Sequence, residues 1–189
     1  GGVLFHGVHM DESDYEIIKK RGIFVVTNPA SNLKLASGIA PVKRYLDLEI
    51  PVAIGTDGPA SNNCLDMFRE MFLVTGLQKV LCDDPEAVPA MDVLRMSTVN
   101  GAHAMGLEDC DVIAPGKRAD LIMIDLTQPN MQPLHNIEKN IVYSGSKQNI
   151  KMTMVNGKIL YQDGIFRIGN TPENIYVNAN RIAERILGE

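Results

Sequence analysis

A chain of 189 residues, 45% hydrophobic and 22% charged with a formal net charge of −5, has the composition of an ordinary globular protein. The acidic balance gives no reason to expect nucleic acid or an anionic membrane as partner; no apolar run approaches the ~20 residues of a membrane helix, and no secretory signal opens the chain. Three widely spaced cysteines, Cys64, Cys82 and Cys110, read as reduced thiols of a cytoplasmic protein rather than a disulfide framework or thiolate metal site.

The chain begins Gly1-Gly2, with no initiator methionine, and enters a strand at once, which reads as an internal start. The apolar run from Gly2 ends at His6-Gly7. Residues 10–21 read as a helix. Asp11, Glu12 and Asp14 stand near its start and Lys19, Lys20 and Arg21 near its end, matching the helix dipole. A second apolar run, 22–27, ends at Asn28-Pro29, and a polar loop follows. Residues 39–48 form a shorter helix by the spacing of Ile39, Val42 and Leu46. Val52-Ala53-Ile54 is a third apolar run, stopping at Gly55-Thr56-Asp57-Gly58, and 65–81 is helical. Strands that are apolar almost throughout, separated by crossover helices, predict a parallel sheet buried on both faces.

From 88 to 106 one helix is predicted, with Met91, Leu94, Ala102 and Met105 towards one face and Gly106 as its stop. Beyond Cys110 the period changes. Residues 119–125, 140–143 and 150–155 read as short strands, and Asn156-Gly157 makes a two-residue hairpin into 158–161. These strands form a small antiparallel unit without evident chemistry of its own. Thr171-Pro172-Glu173 starts a final helix, threonine capping it and proline in its first turn, which runs to about Leu187.

Each of the first three strands delivers a polar residue at its C-terminal end: His6, Asn28 and Asp57. That edge is where α/β enzymes assemble their sites. An aspartate in a glycine turn there serves as a metal ligand, a proton acceptor or a loop cap, and the glycines permit a sharp bend and close ligand approach. Asp-Gly by itself also marks ordinary turns.

HGVHM at 6–10, TNPASNLKLASGIAPV at 27–42 and GTDGPASNN at 55–63 together resemble the amidohydrolase superfamily, in particular its 5-methylthioadenosine/S-adenosylhomocysteine deaminase branch. PGKRADLI at 115–122 is similar to that family's return to its small β domain. The resemblance covers nearly the whole chain and about the C-terminal half of such an enzyme. It implies an α/β fold: the C-terminal part of a metal-dependent (β/α)8 barrel, strands six to eight, followed by a small antiparallel β unit and a C-terminal helix. The corresponding division is 1–108 for the barrel half, 109–168 for the small β-sandwich portion and 169–189 for the helix. The helix at 88–106 closes the barrel in such enzymes.

The resemblance also implies zinc as cofactor, with Asp57 as a metal ligand and His6 facing the metal-bound water and the substrate. The family's His-X-His pair and its fifth-strand histidine and glutamate have no counterpart here. The chain alone is therefore expected to bind metal weakly and not to catalyse. The complete enzyme would replace the exocyclic amine of an adenine-type nucleoside with oxygen. In it Asp57 holds the metal, relays a proton and touches the substrate, and His6 stabilises the incoming oxygen. A guanine deaminase or a chlorohydrolase is the alternative activity, and an inactive folded fragment is the alternative for the chain by itself. A small-molecule purine nucleoside is the expected partner, and exposed barrel edges favour a homo-oligomer.

Asn28, Ser31, Asn32 and Lys34 either line the substrate cleft, with Asn28 and Asn32 as the substrate-binding candidates, or belong to a turn enforced by Pro29 and Asn32. Ser61, Asn62 and Asn63 are expected to hold the Asp57 loop and cap the helix that starts near Leu65. Met67, Phe68, Met71 and Phe72 read as one hydrophobic helix face. His9, three residues after His6, reads as a surface or helix-entry residue past the strand, and a strand does not bring residues three apart onto one face, which argues against a metal pair. His103 and His135 read as structural, and Cys64 as a small buried filler.

Overall fold

In the computed structural model, which describes residues 1–188, the first part of the chain runs β1 (Gly2–Phe5), α1 (Glu12–Arg21), β2 (Ile23–Thr27), α2 (Pro29–Lys34), α3 (Val42–Asp47), β3 (Val52–Ile54), α4 (Pro59–Asn62), α5 (Met67–Cys82), α6 (Ala90–Ser97) and α7 (Val99–Ala104). It continues with β4 (Leu121–Ile124), α8 (Ile137–Ser144), β5 (Ile150–Val155), β6 (Lys158–Gln162), β7 (Ile165–Phe166) and α9 (Pro172–Leu187). Two compact units result: residues 1–117 with 126–149, and residues 118–125 with the chain from Ile150 on. Residues 109–117 and 126–149, expected with the small β portion, thus lie in the first unit. The reason is α8, which packs on α5 and α6 and buries Val142.

The first unit is built on a parallel sheet in the order β1-β2-β3, with Val3 opposite Phe24 and Val26 opposite Ala53. Val25, Val52 and Ala53 are buried, as two-faced covering requires. β1 departs from that expectation: it has a neighbour on one side only, and Phe5 is 61% exposed. α1 begins after Asp11, which accepts from Ser13 and Asp14 N–H groups, while Asp14 reaches back to the Asp11 N–H. Gly22, at φ +58°, ends it.

Three local expectations change. Residues 28–34 are not a loop but largely the short helix α2, with Pro29 in its first turn. The helix expected over 88–106 breaks at Thr98 (φ −126°, ψ −88°). There the Ser97 and Thr98 hydroxyls both donate to the Leu94 carbonyl and compete with the helical ladder. Its buried face is Ala90, Val93, Met96 and Ala102, whereas Met91 and Met105 are exposed. Residues 140–143, expected as a strand, lie inside α8. Asn136 caps that helix through the Lys139 N–H at 2.8 Å, and packing on α5 and α6 overrides the β-branched composition.

The second unit holds an antiparallel sheet in the order β4-β5-β6-β7. Asn156 (φ +49°) and Gly157 (φ +75°) form the expected hairpin turn between β5 and β6. α9 starts at Thr171, whose hydroxyl accepts from the Asn174 N–H at 3.3 Å. Among the described residues no helix is long and apolar enough to cross a membrane.

Candidate active site

Because β1, β2 and β3 are parallel, their C-terminal ends share one edge of the sheet, where His6, Asn28 and Asp57 follow. The ladder extends past the strands: His6 N–H donates to Val26 O at 2.8 Å and Gly55 N–H to Thr27 O at 2.9 Å. The backbone then turns sharply. His6 (φ +68°) and Asp57 (φ +59°) both occupy the left-handed region, uncommon for residues with a Cβ and concentrated at functional sites. Gly7 follows at φ +59°, where a Cβ would lie 2.7 Å from Val25 Cγ1 and 2.9 Å from Tyr45 Oη. The buried Tyr45 hydroxyl of α3 donates to Gly7 O at 2.5 Å and holds this turn against the sheet.

His6 Nε2 lies 3.9 Å from Asp57 Oδ2, with both side chains part-exposed. Asp57 Oδ2 accepts from Ser31 Oγ at 2.6 Å, and Oδ1 from its neighbour's N–H, Gly58, at 2.8 Å. The Ser31 hydroxyl first, then that of Ser61 and the Gly58 N–H, draw the Asp57 carboxyl down to about 2. It is therefore ionised at neutral pH. On the imidazole, Nδ1 faces Asn32 Oδ1 at 2.8 Å. Since that oxygen only accepts, Nδ1 carries the hydrogen and Nε2 is the nitrogen turned towards Asp57.

Asn28 and Asn32, the substrate-binding candidates, are each 2% exposed. Asn28 Nδ2 donates to Val26 O at 3.3 Å and stands 3.5 Å from His6 Nδ1. Both amides thus face His6, Asn28 through Nδ2 and Asn32 through Oδ1. Asn32 Nδ2 has no protein partner, and Asn32 is among the residues lining a cavity of about 10 Å³. Lys34 is exposed, and its ammonium joins α2 to Ala60 O (2.9 Å) and to Asn63 Oδ1.

The residues after Asp57 also differ from expectation. Asp66, not Ser61–Asn63, caps α5, accepting from Phe68 N–H at 3.0 Å. Asn62 instead donates to Thr56 O (2.6 Å) and to Glu70 Oε1 (2.8 Å). Phe68 and Met71 are buried, but Phe72 is half-exposed and meets Tyr143 edge-on. Cys64 is part-exposed. His9 is exposed and 3.0 Å from Ser37 O, and His103 pairs with Asp111 at 3.0 Å.

Glu70 escaped sequence reasoning. It is fully buried on α5 and accepts from Ala30 N–H at 2.9 Å as well as from Asn62. The available signal was its place on the face shared by Met71, Val74 and Gln78, an apolar helical stripe interrupted by a carboxylate.

Zinc sites take three or four protein ligands. Among the described residues no three His, Cys, Asp or Glu side chains converge, so the edge that carries His6 and Asp57 does not by itself supply a zinc donor set. The ionised Asp57 carboxylate is an oxygen donor of the kind a divalent cation takes, and the His6 imidazole stands beside it.

Residues 2–160 match the model of the amidohydrolase family. Over 157 residues the chain is 46% identical to a 5-methylthioadenosine/S-adenosylhomocysteine deaminase of Dictyoglomus thermophilum, covering 83% of this chain and 37% of that protein. An adenosine deaminase from Xanthomonas campestris with bound zinc superposes with a TM-score of 0.94 at 34% identity, over 99% of this chain and 43% of that one. The zinc complex of an atrazine chlorohydrolase from Arthrobacter aurescens superposes with a TM-score of 0.86 at 25% identity, over 95% and 40%. The chain thus spans about two fifths of the length of the proteins it matches.

Proposed function

The chain belongs to the amidohydrolase family, and on that footing we propose that the polypeptide carrying it is a hydrolytic deaminase of adenine-type nucleosides, acting on 5-methylthioadenosine and S-adenosylhomocysteine. The observation that carries the proposal is the meeting of His6 and Asp57, 3.9 Å apart, at the C-terminal edge of a parallel sheet. The names of the relatives supply the substrate class. In this reading β1, β2 and β3 are strands six to eight of a (β/α)8 barrel. The chlorohydrolase alternative has the weaker support, 25% identity against 34% for the adenosine deaminase.

A divalent cation, zinc by analogy with the zinc-bearing neighbours, would supply Lewis acidity that makes water a nucleophile at neutral pH. Asp57 offers that cation an ionised oxygen, oriented by Ser31 and Gly58. His6, fixed through Nδ1 by Asn32, presents Nε2 to the same edge, where it orients the attacking water through a hydrogen bond. Water adds to the purine carbon that bears the amine, and ammonia leaves. With Asp57 as its one metal ligand, this chain by itself is expected to be inactive. Cys64, Cys82 and Cys110 are free thiols, which fits a cytoplasmic site of action.

The test is ammonia release from 5-methylthioadenosine by the full-length polypeptide loaded with zinc, with the isolated chain as control. Turnover by the former alone supports the proposal. Turnover of guanine or a chlorotriazine in place of the nucleoside, or no turnover at all, overturns it.

A further inference from the structure

Two segments flank Asp57 in space, and one buried carboxylate holds both. Glu70, in α5, is wholly inaccessible. Its Oε2 accepts from the Ala30 N–H at 2.9 Å, and its Oε1 from Asn62 Nδ2 at 2.8 Å. Ala30 lies in the first turn of α2, a helix whose own N-cap, Asn28, makes no side-chain capping bond. Glu70 thus caps α2 from another element, satisfying a helical N–H that would otherwise be orphaned in the interior. The next residue, Ser31, donates to Asp57 Oδ2. On the other side, the second hydrogen of the Asn62 amide goes to the carbonyl of Thr56, the residue before Asp57. One carboxylate therefore fixes both the hydroxyl that orients Asp57 and the peptide that carries it.

We propose that Glu70 is a positioning residue for the Asp57 site, clamping α2 and the 55–58 turn in the relation that lets Ser31 orient the Asp57 carboxylate. The assignment rests on reading Asp57 as a functional group of the deaminase. Both of Glu70's partners are N–H donors. A carboxylate accepts from the two at once, but a glutamine must turn its own N–H₂ at one of them. Burial pushes the Glu70 pKa up, and the two donors oppose that rise.

The experiment compares wild type, Glu70→Gln and Asn62→Ala in the full-length polypeptide with zinc. It reads kcat and KM for 5-methylthioadenosine, zinc affinity, and the folded fraction by thermal unfolding. The expected result for Glu70→Gln is a kcat about 10–100-fold lower with KM nearly unchanged, in a protein still folded at the assay temperature. A wild-type kcat, or a loss accounted for by the unfolded fraction alone, overturns the proposal. If Glu70→Gln does not fold, Asn62→Ala decides by the same readout, since it cuts the Thr56 arm and leaves the Ala30 arm. If the wild type deaminates no adenine nucleoside, the functional reading fails separately. The clamp is then judged on a crystal structure of Glu70→Gln: a retained Ser31–Asp57 bond of 2.6 Å overturns it, and a parted pair upholds it.

Discussion

His6 and Asp57 leave strands that do not touch, β1 and β3, yet His6 Nε2 and Asp57 Oδ2 stand 3.9 Å apart. β2 lies between those strands, and the short helix that follows it supplies both second partners: Asn32 for the imidazole and Ser31 for the carboxylate. The pair is thus oriented from the middle of the sheet.

Replacing Asp57 with asparagine keeps the shape and removes the charge. Zinc binding and deamination by the full-length polypeptide are expected to disappear together, measured by metal titration and ammonia release. Ser31→Ala is the milder change. It removes the leading cause of the low Asp57 pKa, so the carboxyl should titrate nearer the ordinary aspartate value of about 3.9, followed by carboxyl carbon NMR. An unchanged titration would show that Ser61 and Gly58 suffice.

Asn32 Oδ1 dictates which imidazole nitrogen bears hydrogen. Nitrogen NMR of the neutral protein should find His6 protonated on Nδ1. In Asn32→Leu that preference should vanish, with activity lower by about 10–100-fold, as for other groups that orient a site side chain. A wild-type His6 protonated on Nε2 would contradict the assignment.

Gly55 permits close packing at the end of β3. A Cβ there would sit 2.5 Å from Asn28 Oδ1 and 3.1 Å from Val26 Cγ1. Both neighbours are buried, so neither can swing away freely. Gly55→Ala should lower unfolding free energy by about 1–3 kcal/mol, read from denaturant midpoints. Gly58→Ala, with open space around its Cβ, is the contrasting control.

Asp111 supplies a pH dependence away from the site. Lys117 (2.7 Å) and His103 (3.0 Å) flank it, and their hydrogen bonds, Lys117's the larger, draw its carboxyl from 3.8 down to about 2. The native form releases this proton more readily than the unfolded chain. Its stabilising contribution is therefore complete above about pH 4 and disappears as pH falls to about 2. The thermal midpoints of wild type and Asp111→Asn should differ at pH 5 and converge near pH 2.

Much of the fold was legible locally. Oppositely charged ends announced α1, Asn156-Gly157 announced the β5–β6 turn, and three apolar runs with polar residues at their ends announced the sheet and the edge where those residues gather. Periodicity failed where tertiary contacts chose the conformation. Residues 140–143 have strand composition but fold as α8 against α5 and α6. The expected 88–106 helix looked continuous until Ser97 and Thr98 drew the Leu94 carbonyl away.

From residue order alone came which groups stand at the strand ends, because alternation, glycines and caps act between near neighbours in the chain. The partners of those groups were decided only by the folded structure. Ser31 finds Asp57 across 26 residues, and Ala30 finds Glu70 across 40. A polar side chain such as Asn28, Asn32 or Glu70 carries no mark of whether it will meet water or be enclosed. That depends on which donors and acceptors the packed elements bring to it, since burial is tolerated where those hydrogen bonds can be made.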